Sequence, residues 1–128
     1  MSHRFPVRVY YEDTDLAGIV YYANYLKFIE RARSEWVRKL GIDQSELKRQ
    51  GLVFAVRRVE ADYLRPARFD DEVIVVTEPV ERTAARLVLR QDVTRGEEVL
   101  FSARVTLVVL TESGRPGRMP AEIRRVVG

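Results

Sequence analysis

One long stretch of the chain steps its apolar residues by three and four: Tyr25, Phe28, Ile29, Ala32, Trp36 and Leu40, closed by Gly41. That spacing predicts an amphipathic helix of about four to five turns, roughly 25 Å at ~1.5 Å per residue. Most of the remaining sequence reads as strand. Phe5, Val7, Val9 and Tyr11 alternate ahead of the helix, and β-branched and apolar residues dominate 53–64, 72–80, 86–94 and 99–110 after it. Asp43 followed by Glu46 resembles a capping box and predicts a short helix over 44–50. Pro116, Gly117 and Pro120 then precede a terminal helical turn at 121–127.

This order leaves no crossover helices for a parallel sheet, so it predicts an α+β fold: an antiparallel sheet of about five strands with one long helix across a face. The segment 99–110 alternates most clearly, with Val99, Phe101, Ala103, Val105, Leu107 and Val109 on one side and Ser102, Arg104 and Thr106 on the other, and is expected to cross the sheet centre. Arg95-Gly96 marks a hairpin and Arg65-Pro66 a strand end. With 128 residues and 46% hydrophobic content, a single domain over 1–128 is expected, ordered nearly throughout.

Composition removes several chemistries. Without cysteine there is no disulfide, thiolate nucleophile or cysteine-bound metal. The only histidine, His3, lies at a terminus expected to be mobile, which disfavours a histidine-based triad. GxSxG, GxxxxGK[ST] and GxGxxG motifs are missing. No segment reads as a secretory signal or membrane span, so a cytoplasmic protein is the expectation. The net charge is +3, with lysine only at Lys27, Lys39 and Lys48. Arginine forks suit phosphates, although genomic base composition or growth at high temperature would enrich arginine equally. The run Arg115, Arg118, Arg124 and Arg125 comes with no nucleic-acid motif, and nucleic acid is not an expected partner.

The remaining reactive segment is the acidic loop holding Glu12, Asp13 and Asp15. A calcium loop is refuted by Ala17 and Asn24, which occupy positions that need an oxygen ligand and a glutamate, so no metal is expected. Two readings stay open. Aspartates in loops commonly fix turns. A carboxylate just ahead of a helix N-terminus can also face an ester carbonyl polarised by the free helix amides. Thioesters suit such a site because the carbonyl is electrophilic and the thiolate leaves readily.

Residues 11–25 (YEDTDLAGIVYYANY), together with Phe28, Glu30, Arg31, Ala32 and Arg33, resemble the signature of 4-hydroxybenzoyl-CoA-type thioesterases. Residues 61–71 (ADYLRPARFDD) are similar to the second conserved block of the acyl-CoA thioesterase branch associated with the Tol-Pal system. The resemblance implies a hotdog fold, in which the sheet wraps the long helix, and a homodimer with a continuous sheet, often paired into a homotetramer. It implies hydrolysis of acyl-coenzyme A with no cofactor, coenzyme A being part of the substrate. By motif position, Asp15 is the catalytic carboxylate, the Tyr22 backbone amide the oxyanion donor, and Gly18 the residue allowing close backbone approach.

At Tyr22 the chain departs from much of the Tol-Pal-associated branch, which carries histidine there, and agrees with the 4-hydroxybenzoyl branch. A mechanism needing that histidine is excluded. Tyr21, Tyr22 and Tyr25 are candidates to line an acyl pocket, against the plainer reading of helix-face core. Arg65, Arg82 and Arg86, with Arg57 and Arg58, are candidates for the coenzyme A phosphates. A non-catalytic acyl-coenzyme A sensor remains the alternative, and the retained Asp15 argues against it. A hotdog dehydratase would need an internal histidine that this chain lacks.

Overall fold

A computed structural model describes residues 2–125. Five strands form one antiparallel sheet: β1 (His3–Arg8), β2 (Leu52–Tyr63), β3 (Glu72–Arg82), β4 (Arg86–Arg95) and β5 (Glu98–Thr111), in spatial order β1-β3-β4-β5-β2. The helices are α1 (Asn24–Lys39), α2 (Gln44–Arg49) and the single turn α3 (Ala121–Arg124). Part of the predicted terminal turn, at 126–127, lies outside the described residues. The middle strand is β4 rather than β5, because β2 leaves the helical region to take the edge beside β5.

α1 buries Tyr25, Phe28, Ile29, Ala32, Trp36 and Val37, close to the stripe its spacing predicts. It packs on β1, β3 and β4, against Val73, Val75, Leu87, Leu89 and Val93, all fully buried. Side chains of this size contribute about 1.5–3 kcal/mol each when buried. One polar group sits among them. Gln91 is fully buried, yet its Nε2 donates to Ile29 O and Thr77 Oγ1, both at 2.9 Å, and its Oε1 accepts from Arg33 Nη1 at 3.0 Å. The amide is thus satisfied and ties α1 to β3 and β4.

Other element ends follow local chemistry. α1 stops at Gly41 (φ +87), where Ile42 N turns back to Val37 O. The Asp43 carboxylate accepts from the Ser45 and Glu46 amides and starts α2. β4 and β5 join through Gly96 (φ +60) and Glu97.

Three expectations need correction. Strand one is His3–Arg8 rather than 5–11, because Tyr11–Asp13 forms a 3-10 turn. His3 is therefore a strand residue opposite Thr77, not part of a mobile end. In β5, Val99 leaves the buried row and Leu100 is buried instead. A register shift between Val93 and Thr94 moves the hairpin end, and Leu100 O accepts the Leu64 and Arg65 amides.

Candidate active site

Between β1 and α1 the chain makes a small, tightly bonded loop. Asp13 fastens both of its ends: its Oδ2 accepts the Tyr10 amide at 2.8 Å, while its carbonyl accepts Tyr21 N and Asn24 Nδ2, both at 2.9 Å. Asp13 is therefore the turn former. Within the loop Thr14 bridges Val20, Asp15 N donates to Ile19 O and Gly18 N to Asp15 O, giving a hairpin with Leu16 at its tip. Leu16 is 107% exposed.

Asp15 is exposed. Its Oδ1 accepts the Ala17 amide at 2.9 Å, and Oδ2 has no hydrogen bond among the described residues. The carboxylate is thus oriented by one oxygen and open at the other. Gly18 has φ +78, and a Cβ there would meet nothing within 4 Å. It adopts the left-handed conformation that glycine takes without strain.

The loop runs directly into α1, which starts without a side-chain cap and with no acidic residue in its first turn. Among the described residues the Tyr22 and Ala23 amides donate to no acceptor. Such an uncapped start presents N–H groups and the positive end of the helix dipole to whatever lies in front of it.

Beside this helix start is a cleft of about 300 Å³ lined by Ile19, Val20, Tyr22, Tyr25, Tyr63, Leu64, Arg65 and Pro66. Of the expected binding residues, Tyr22, Tyr25 and Arg65 meet here. Tyr21 packs edge-on against Tyr22, with centroids 5.0 Å apart, instead of lining the cleft. Tyr25 belongs equally to the core, stacked on Phe101 at 4.9 Å. Burial pushes its hydroxyl pKa up, and the oxygen accepts the Ala67 amide.

Arg82 and Arg86 are elsewhere. Arg86 opposes Val108 in register, whereas the cleft lies at the Phe101 end of β5. The seven-step offset between those positions spans about 23 Å at ~3.3 Å per residue. Arg86 pairs with Glu81 at 2.8 Å in a separate depression shared with Arg57, Arg58 and Arg104. These arginines therefore do not converge with Arg65 within one chain.

The segment 64–71 is the floor on which the acidic loop rests, a role that residue types alone did not disclose. Val20 N donates to Ala67 O at 2.9 Å, and Ile19 bridges Arg68. Asp71 secures this segment: its Oδ2 accepts the Arg68 amide at 2.9 Å and Arg95 Nη1 at 2.8 Å. Desolvation works to raise the Asp71 pKa, but those hydrogen bonds and the nearby Arg95 and Arg68 charges outweigh it and hold the pKa below the ordinary 3.8. The available signal was the second motif block, which ends on Asp71.

Among the described residues no three His, Cys, Asp or Glu side chains are grouped as a metal would need. No helix among them is long and apolar enough to cross a membrane.

A family model described as the thioesterase superfamily matches residues 17–102. The acyl-CoA thioesterase YbgC of Haemophilus influenzae is 42% identical over 123 residues, covering 94% of this chain and 90% of that protein. The acyl-CoA thioester hydrolase YbgC of Shigella flexneri is 38% identical over 122 residues, covering 94% and 91%. The crystal structure of a probable thioesterase from Bartonella henselae superposes with a TM-score of 0.89 at 38% identity, over 94% of this chain and 100% of that one.

Proposed function

The chain belongs to the thioesterase superfamily, and on that premise we propose that it hydrolyses acyl-coenzyme A, with the Asp15 carboxylate as base or nucleophile and the Tyr22 amide as oxyanion donor. Membership brings the hotdog fold and thioester hydrolase chemistry. The observation that carries the residue assignment is local. One loop holds a carboxylate with a single oxygen free and leads into α1 through Tyr22 and Ala23, whose amides have no acceptor among the described residues.

With the carboxylate as base, Asp15 takes a proton from water and the resulting hydroxide adds to the thioester carbon. The carbonyl oxygen becomes an oxyanion that accepts from the Tyr22 N–H. Collapse breaks the C–S bond, and the coenzyme A thiolate receives the proton held by Asp15. With the carboxylate as nucleophile, Asp15 itself adds to the carbon and expels the thiolate, and water then hydrolyses the mixed anhydride. The acyl group fits the apolar cleft at Tyr22, Tyr25 and Tyr63, with Arg65 at its rim for the phosphates.

We further propose a homodimer through β2. Five strands at ~4.8 Å spacing make a face about 19 Å wide, whereas a helix is about 10 Å across. α1 lies over β1, β3 and β4, so the inner face of β2 stays open at Val56, Val59 and Tyr63. The two sheet edges differ as well. β1 is short and carries Pro6, whereas β2 is twelve residues long and has no proline, leaving its outer backbone groups free to pair. A second copy would supply both the missing helix and the missing strand.

The test is thiol release from a panel of acyl-coenzyme A esters, from acetyl to long-chain and aromatic. Asp15→Ala is expected to lower kcat/KM by at least ~100-fold. Undiminished activity in that variant would remove the assigned role, and the panel identifies the preferred acyl group.

A further inference from the structure

The first turn of α1 is tighter than a regular helix: Asn24 N donates to Tyr21 O at 2.8 Å and Leu26 N to Ala23 O at 3.2 Å, both three-residue steps. In a four-residue step Leu26 N would instead reach Tyr22 O. The Tyr22 carbonyl is therefore left without a helical partner at the residue whose amide is the assigned oxyanion donor. Tyr63 Oη donates to it at 3.1 Å, from the edge strand β2 and 41 residues along the chain.

The position of that hydroxyl is set by aromatic packing. The Tyr63 ring meets Tyr22, Tyr25 and Phe101 edge-on, with centroids 6.1, 5.6 and 5.0 Å away, and Phe101 is its register partner on β5. We infer that Tyr63 is a positioning residue, whose hydroxyl fixes the peptide plane between Tyr22 and Ala23. The preceding plane is fixed by the bond from Asn24 N to Tyr21 O. The Tyr22 N–H lies in that preceding plane and the Ala23 N–H in the plane Tyr63 holds; with both planes pinned, rotation about Tyr22 is blocked and its N–H is aimed before substrate arrives, which is the preorganisation an oxyanion donor requires. This inference rests on the Tyr22 assignment proposed above. Tyr63 is 48% exposed, so its hydroxyl is not needed to satisfy a buried core.

Tyr63→Phe keeps the ring and removes the donor. With the best acyl-coenzyme A ester, kcat is expected to fall about five- to tenfold, the rate equivalent of one lost hydrogen bond, with KM within about twofold. The melting temperature should stay within about 2 °C. The backbone amide resonances of Tyr22 and Ala23 should move in the ligand-free protein. An unchanged kcat, a loss confined to KM, or unmoved amide resonances would each overturn the inference. Tyr63→Leu removes ring and hydroxyl together; full activity in Tyr63→Phe with loss only in Tyr63→Leu would assign the effect to packing and likewise overturn it. Asp15→Asn, assayed in parallel, separates the two readings. Wild-type rates in Asp15→Asn would sink the carboxylate role, while the kcat and amide shifts of Tyr63→Phe still decide whether the pin operates.

Discussion

Val105 and Val59 are the same residue type, opposite one another in register and on the same side of the sheet, yet Val105 is fully buried and Val59 is 39% exposed. Tyr63 and Phe101 repeat the contrast one end further along, at 48% exposed and fully buried. In the valine pair only the strand changes, from β5 to β2, and the aromatic pair shows the same direction. The sheet thus has a finished half, closed by the chain's own helix, and an unfinished half that holds the Tyr63 side of the cleft. The same side chain thus has different surroundings: Val105 is enclosed by the fold, and Val59 on β2 stays open within one chain.

The largest effect expected along this divide is on association. Val59→Lys places a charge where a second copy would bury the β2 face and should weaken dimerisation by at least ~100-fold, while thermal unfolding of the separated chain stays cooperative. Light scattering decides the matter: a wild type that is monomeric, or a variant that stays dimeric, would break the proposed pairing.

Next comes the finished half. Val105→Ala should cost about 2–3 kcal/mol in denaturant unfolding, combining lost burial with a cavity, against about 0.5 kcal/mol for Val59→Ala measured in the monomeric background. Equal costs would mean that β2 is already covered within one chain.

The smallest effect belongs to the clamp under the acidic loop. Because the folded-state pKa of Asp71 is held below the ordinary 3.8, its stabilising contribution is complete above about pH 5 and is lost as pH falls through the folded value. Arg95 is partly exposed, at 32% of its side chain, so the loss in Asp71→Asn near neutral pH should be about 1 kcal/mol. The difference between wild type and variant should shrink as pH drops below 4. A difference that is constant with pH would assign the effect to packing rather than charge.

Legibility in the sequence followed the range of the interaction. The α1 stripe, the Asp43 cap, the Gly41 stop and the Gly96 turn depend on residues within a turn or two of each other, and each is found where its pattern placed it. The acidic loop was readable as a constellation, but the motif resemblance separated Asp15 from Asp13. The structure adds why Asp13 is taken: its side chain and carbonyl tie the two ends of the loop. The candidate arginines were not separable by residue type. Arg65 is at the cleft and Arg86 is at the other end of the strands, a distinction that exists only once register is set.

The sequence by itself determined the inventory and the order of elements: one long amphipathic helix, strands too closely connected for a parallel sheet, no cysteine, and a carboxylate loop delivered to a helix start. These follow from local periodicity and covalent neighbours. The tertiary structure decided that β4 is the middle strand, that β2 takes an open edge, and that Tyr63 reaches back 41 residues to the Tyr22 carbonyl. Strand order and cross-chain hydrogen bonds depend on which distant segments share apolar faces, and period-two patterns on five similar strands do not rank those pairings.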